Sequence, residues 1–97
     1  VTEAALQRKI QAALRDRGGK VIKVHGGAYA VAGTPDLIGA IDGVSFAIEV
    51  KRPGERPSAK QEAELSAWAA QGWATGVACS VQDAMEIVDA APGRLTA

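Results

Sequence analysis

Asp36, Glu49 and Lys51 are the residues of this 97-residue chain whose types and spacing can do chemistry. They stand in the stretch GTPDLIGAIDGVSFAIEVKRP, residues 33–53. The runs DLIGAI and VSFAIEVK read as β-strands, and the Asp42-Gly43 between them is a strong two-residue hairpin signal. Such a turn pairs Ile41 with Val44, and counting outward sets Asp36 directly opposite Glu49. Like charges opposite one another on adjacent strands are unfavourable. Leu37, Ile38, Ile41, Phe46, Ile48 and Val50 imply that both faces of these strands are mostly covered. Two unpaired carboxylates there would be desolvated as well, at high cost or with a shift of protons. A cation between them resolves the conflict. Lys51, two residues after Glu49, projects from the same face.

Carboxylate oxygens without a His or Cys cluster favour a hard ion, Mg2+ or Mn2+, over zinc. Two carboxylates with open positions leave room for water and a substrate phosphate, and a nearby lysine can orient or deprotonate that water and offset charge growing on the phosphate. The plainer alternative is a salt bridge among Asp36, Glu49 and Lys51 at a half-exposed strand end. For any one of the three residues that alternative is the better account; for all three on one hairpin face, the site is.

The elements that must hold this hairpin follow from pattern. TEAALQRKIQAALRDRGG reads as an amphipathic helix capped by Thr2 and ended by Gly18-Gly19, with Leu6, Ile10, Ala13 and Leu14 as its apolar stripe and Glu3 on that stripe. By pattern alone Glu3 is a first-turn residue that favours the helix dipole. KVIKVH is a short strand and GGAYAVAG a small-residue loop. RPGERP is a loop, since its prolines and glycine forbid regular structure. SAKQEAELSAWAAQG is a helix, with Ser58 and Gln61 as a capping box and Leu65, Trp68 and Ala69 as its stripe, in line with Gln61. ATGVACS is a strand, and a last helix begins at Ser80 and stops at Pro92-Gly93. The order is αβββαβα, an α/β arrangement in which a mixed sheet is flanked by helices, in one domain over residues 1–97.

A domain this small buries a modest fraction of its surface, so a homodimer is expected. The formal net charge is zero, yet ten of the eleven Lys and Arg residues fall in the first sixty positions. A basic first part suits a polyanion partner. No run is long enough to span a membrane, and the polar, amphipathic start is not a signal-peptide pattern. The single cysteine, Cys79, excludes an intrachain disulfide and a Cys-based zinc site. An intracellular, cytoplasmic setting is the expectation.

Pro35-Asp36 followed by Glu49-Val50-Lys51 resembles the PD-(D/E)XK nuclease motif. With the glycine before it and KRPGERPSAKQ after it, the chain from Glu3 to about Ala90 is similar to the VRR-NUC branch, which includes small stand-alone nucleases of phages and bacteria. The resemblance implies a restriction-endonuclease-like αβββαβα core and hydrolysis of DNA phosphodiesters with magnesium or manganese, in a bacterial or phage-infected cell. It implies that Asp36 and Glu49 are the principal metal ligands, that the Val50 carbonyl is a further ligand, and that Glu3 reaches the metal directly or through water. Lys51 takes the place of the catalytic lysine and Gln61 that of the glutamine after the proline-rich loop. Stand-alone members resemble Holliday-junction resolvases and act as dimers. The expected activity is thus a DNA endonuclease structure-specific for branched DNA. The alternatives are a monomeric flap or single-strand nuclease, a non-catalytic nucleic-acid-binding module of the same fold, and an interaction domain.

Arg52, Arg56 and Lys60 flank the motif and suit backbone phosphate; the alternative is a solvated basic loop. His25, at a strand end, is either a DNA contact or surface. Gly26-Gly27 reads as a flexible turn. Tyr29 is a base-stacking or dimer residue, Trp68 core, and Trp73 core or interface.

Overall fold

The computed structural model of the protein describes residues 1–26 and 31–90. The elements run α1 (Glu3–Asp16), β1 (Lys20–Lys23), β2 (Leu37–Ile41), β3 (Val44–Val50), α2 (Ala59–Ala70), β4 (Ala74–Ala78) and α3 (Val81–Asp89). This is the expected α/β order, with a four-stranded mixed sheet arranged β1-β2-β3-β4. The β1–β2 and β2–β3 pairs are antiparallel, and β3–β4 is parallel, joined through α2 as a crossover.

The β2–β3 turn sets the register of everything that follows. Asp42 and Gly43 both lie at positive φ, 51° and 78°, the backbone that lets a two-residue turn match the twist of its strands. Ile41 pairs with Val44, and the pairing runs without a bulge to Leu37 and Ile48. Asp36 and Glu49 are the next residues outward.

Helices α1 and α3 pack on one face of the sheet, and α2 packs on the other over β3 and β4. The core between the first pair and the sheet contains Leu6, Ile10, Leu14, Leu37, Phe46, Ile48, Val50 and Val88. Gly39 is required on this face, since a Cβ there would run into the Lys20 carbonyl oxygen and the Phe46 ring. Each helix starts as its sequence directs: Thr2 Oγ1 accepts from Ala5 N at 3.0 Å, Ser58 Oγ from Gln61 N at 3.2 Å and Ser80 Oγ from Asp83 N at 3.0 Å. Arg17 ties the end of α1 to the hairpin turn and to α3, with Nη2 3.2 Å from Asp42 and 2.9 Å from Asp89. No helix among the described residues is long and apolar enough to cross a membrane.

Several details differ from the pattern reading. β4 ends at Ala78, because Cys79 N is taken by Asp83 Oδ2 at 2.8 Å and Ser80 caps the next helix. The buried stripe of α1 is Leu6, Gln7, Ile10 and Leu14, so a glutamine and not Ala13 fills the fourth place. Trp68 is half-buried, not core; it meets Trp73 edge-on, ring centroids 4.5 Å apart, at the open side of α2. Ala69 is exposed. Gly27, Tyr29 and the Pro92-Gly93 stop lie outside the described residues.

Candidate active site

The hairpin delivers Asp36 and Glu49 side by side at the end of the sheet. Asp36 leaves the ladder one residue before Leu37, and its Oδ2 accepts a hydrogen bond from Val50 N at 2.9 Å, which fixes the carboxylate against β3. Its backbone carbonyl accepts from Val24 N at 2.8 Å, so the site-bearing end of β2 is held from both sides. Glu49 is 1% exposed, a carboxyl in the sheet centre with β4 beside it.

Two partners reach Glu49 Oε2: Gln61 Nε2 donates to it at 3.0 Å, and Lys51 Nζ lies 3.8 Å away. Glu49 Oε1 is buried with no hydrogen-bond partner. The carboxyl is pushed up to about 8, first by burial, then by the neighbouring Asp36 charge, with Lys51 pulling the other way and Glu3 adding a little. Both groups are acceptors when ionised, so Asp36 and Glu49 can share a hydrogen bond only while one of the two holds a proton. This protein alone therefore does not stabilise a second negative charge at the spot.

The other expected residues gather unevenly. Glu3, half-buried at the first position of α1, stands near enough for its charge to act on both Glu49 and Arg52. No set of three or more His, Cys, Asp or Glu side chains among the described residues is close enough to hold an ion. Gln61 does both things the sequence allowed: its Oε1 accepts from Ser58 N at 2.8 Å as the capping box requires, and its Nε2 reaches Glu49. Arg52 is exposed and bound to Glu55, Nε to Oε1 at 2.8 Å. Arg56 and Lys60 are exposed beside the start of α2. His25 is exposed and lines a cleft of about 340 Å³ whose walls include Val31, Gly33, Asp36 and Gln61. A larger cavity, about 620 Å³, lies at the β4 edge between α2 and α3. Its carboxylates are engaged locally, Asp83 with Cys79 N and Glu86 with Gln82 Nε2, and no lysine is among the described residues that line it.

Two more residues matter here: Gly33, noted in the sequence only as the glycine before the motif, and Gln7, which the sequence did not single out. Gly33, at φ +84°, packs against the first turn of α2, where a Cβ would lie 2.6 Å from Lys60 O and 3.0 Å from Gln61 N. The glycine thus lets the loop carrying Asp36 touch the helix carrying Gln61. Gln7, one turn after Glu3 on α1, is 5% exposed with Oε1 unpartnered.

Among solved structures, the fold is similar to that of a VRR_NUC domain, with TM-score 0.73 and 23% identity over 91% of this chain and 95% of that one. It is also similar to the 1.6 Å structure of Archaeoglobus fulgidus Hjc, a Holliday junction resolvase from an archaeal hyperthermophile. There the TM-score is 0.62 and the identity 26%, over 76% of this chain and 64% of that one. Both are PD-(D/E)XK-type nuclease folds, and this chain has that fold. No protein-family profile matches the sequence, and no curated protein does.

Proposed function

We propose that this chain, folded as a PD-(D/E)XK-type nuclease, is a metal-dependent DNA endonuclease that hydrolyses phosphodiester bonds in branched DNA and works as a homodimer. The observation that carries the reading is Glu49: buried, beside Asp36, with one oxygen held by Gln61 and the other unpartnered. A buried, unsatisfied carboxylate oxygen next to a second carboxylate fits a cation, and an all-oxygen donor set fits Mg2+ or Mn2+. Asp36 and Glu49 would hold the ion, with the Val50 carbonyl as a further donor and Glu3 reaching it through water, and the ion would supply Lewis-acid charge at the phosphate.

The side chains of the protein do the rest. Gln61 locks the Glu49 rotamer from α2, and the Val50 amide locks Asp36, so neither carboxylate has to reorganise when substrate arrives. Lys51 is 15% exposed at its side chain, enough shielding to strengthen its charge and enough access to meet a phosphate. Its ammonium orients the attacking water and donates to the phosphate oxygen on which charge builds. Exposed Arg56 and Lys60 hold the flanking backbone, with His25 across the cleft.

The branched substrate and the dimer belong together. A neutral chain holds DNA weakly, and two copies of its basic first part side by side offer a broader positive face. A two-fold axis sets two identical sites on two strands.

Cleavage of a four-way junction, a flap and a linear duplex with Mg2+, Mn2+ or EDTA tests the reading, with sedimentation to give the mass. Paired, symmetric cuts in the junction by a dimer are expected, abolished by EDTA. Lys51→Ala should slow them by about 10²–10⁴-fold while leaving folding and cation affinity near those of the wild type. Wild-type protein that cuts none of the three would sink the proposal, and a monomer that cuts only the flap would replace it with single-strand trimming.

A further inference from the structure

Among the described residues, no element covers half of the sheet face that bears the site. Directly paired residues project to one face, and the register puts Lys20, Ala40 and Ser45 in one row and Ile22, Ile38 and Ala47 in the next. Glu49 follows Ala47 by two residues on β3, so it shares that face. Helix α2 covers the face over β3 and β4 only. Over β1 and β2, Ile22 is left 57% exposed, opposite a half-buried Ile38, with Lys20, Ala40 and Ser45 exposed around them. A sheet face that stays uncovered beside a site is a docking surface in need of an occupant.

Charge selects the occupant. From Arg17 to Pro35 the sequence has no Asp or Glu. Arg17 is spent on Asp42 and Asp89, but Lys20 and Lys23 stand exposed on the edge strand with no ion pair among the described residues. Lys23 pairs with Leu37 and so leaves β1 toward the α1 side, but it stands exposed at the end of the edge strand, where a long stem reaches round the rim to the open face. The carboxylates that do share the open face are those of the site itself. A second copy laid face to face would bring Lys20 toward its own counterpart, whereas a polyanion meets only cations until it reaches Asp36 and Glu49.

We propose that the open β1–β2 face is a DNA-docking surface: the arm of the substrate leading into the site lies across Ile22 and Ile38, with its phosphates taken by Lys20 and Lys23. The inference rests on the nuclease reading, and it adds the direction in which DNA leaves the site, away from α2 and over the edge strand.

The test is the salt dependence of binding. Affinity for a labelled four-way junction is measured by fluorescence anisotropy in EDTA across a range of salt concentrations. Each phosphate contact contributes about 0.9 to the slope of log K against log salt. Lys20→Gln with Lys23→Gln removes two contacts per protomer, so it should lower the slope by about 2 for each copy on the junction, about 4 for the dimer, and the affinity at moderate salt by tenfold or more. Arg8→Gln with Lys9→Gln removes the same charge from α1, on the far side of the sheet, and should lower the slope by clearly less than the first pair does. An unchanged slope in the first pair, or an equal drop in both pairs, overturns the proposal. So does an Ile22→Asp variant that halves the mass in sedimentation without changing the slope, because a second copy would then be the occupant. Wild-type protein that neither binds nor cuts DNA overturns the nuclease reading too, whereas normal wild-type cleavage with an unchanged slope overturns only the docking surface.

Discussion

Gln61 and Glu49 are joined across the sheet face by a single hydrogen bond, Nε2 to Oε2 at 3.0 Å, and the same glutamine closes the capping box of α2 through its Oε1. One side chain therefore sets both where the helix begins and how the buried carboxyl points. The two roles separate by substitution. Gln61→Glu keeps the acceptor that the box requires but turns a donor to Glu49 into a third carboxylate. Gln61→Ala removes both. Thermal melts should place Gln61→Ala below the wild type by about 1 kcal/mol for each of the two side-chain hydrogen bonds lost, from Ser58 N and to Glu49. Gln61→Glu should match the wild type at pH 5 and fall below it at pH 8, where charges repel.

Glu49 makes the cation-free protein less stable as the pH rises. Its folded pKa is raised from 4.5 to about 8 by burial and by Asp36. Between those values the unfolded chain has released a proton that the folded chain retains. The stabilisation is complete below about pH 4.5 and is lost as the pH climbs toward 8. One proton bounds the slope at about 1.4 kcal/mol per pH unit. In EDTA, denaturant titrations of wild type should decline across this window, and Glu49→Gln should flatten the decline and melt higher at pH 8. Equal slopes in the two proteins would remove Glu49 as the cause.

The central hairpin was legible because one dipeptide determines it. Asp42-Gly43 admits a two-residue turn, the turn fixes the register, and the register brings Asp36 to Glu49 without any knowledge of the rest of the molecule. Helix starts were legible for the same local reason, in Thr2, Ser58 and Ser80. What stayed hidden depends on contacts between distant segments. Helical periodicity put Glu3 on a buried stripe but could not say what it faces, and resemblance alone assigned it to the site. Trp68 lies on the stripe of α2, yet it stays half-buried, edge-on against Trp73. Gly33 reads as loop, and only the fold brings it against Lys60 and Gln61.

That contact makes Gly33 a sensitive position. An alanine there would have to hold φ near +84° and fit a Cβ 2.6 Å from a helix carbonyl. Backbone on both sides leaves little to yield, so the loop must lift away from α2 and carry Asp36 off the Gln61–Glu49 pair. Gly33→Ala should lose about 1–3 kcal/mol and most of its cation affinity. Gly72→Ala is the comparison: φ is also positive, at +89°, but nothing lies within 4 Å of the added Cβ. It should cost stability alone. Calorimetric titration with Mn2+ at a temperature where both variants are folded separates them, and equal affinities would mean the loop contact does not position Asp36.

Gln7 gives the opposite expectation, a substitution that stabilises. It occupies the apolar stripe of α1 at 5% exposure, and its Oε1 has no partner. A buried acceptor left unsatisfied costs about 1–3 kcal/mol relative to an apolar group of the same shape. Methionine has nearly the volume of glutamine and the flexibility to fill its place on the buried stripe. Gln7→Met should therefore raise Tm, by about 4–8 °C for each kcal/mol recovered in a domain of this size. Gln7→Ala is the control for packing: it removes the same oxygen but opens a cavity, and it should lie below Gln7→Met. A Gln7→Met variant that melts below the wild type would mean that the amide is hydrogen-bonded in solution. The stripe of α1 would then be polar by requirement at this position, one turn from Glu3.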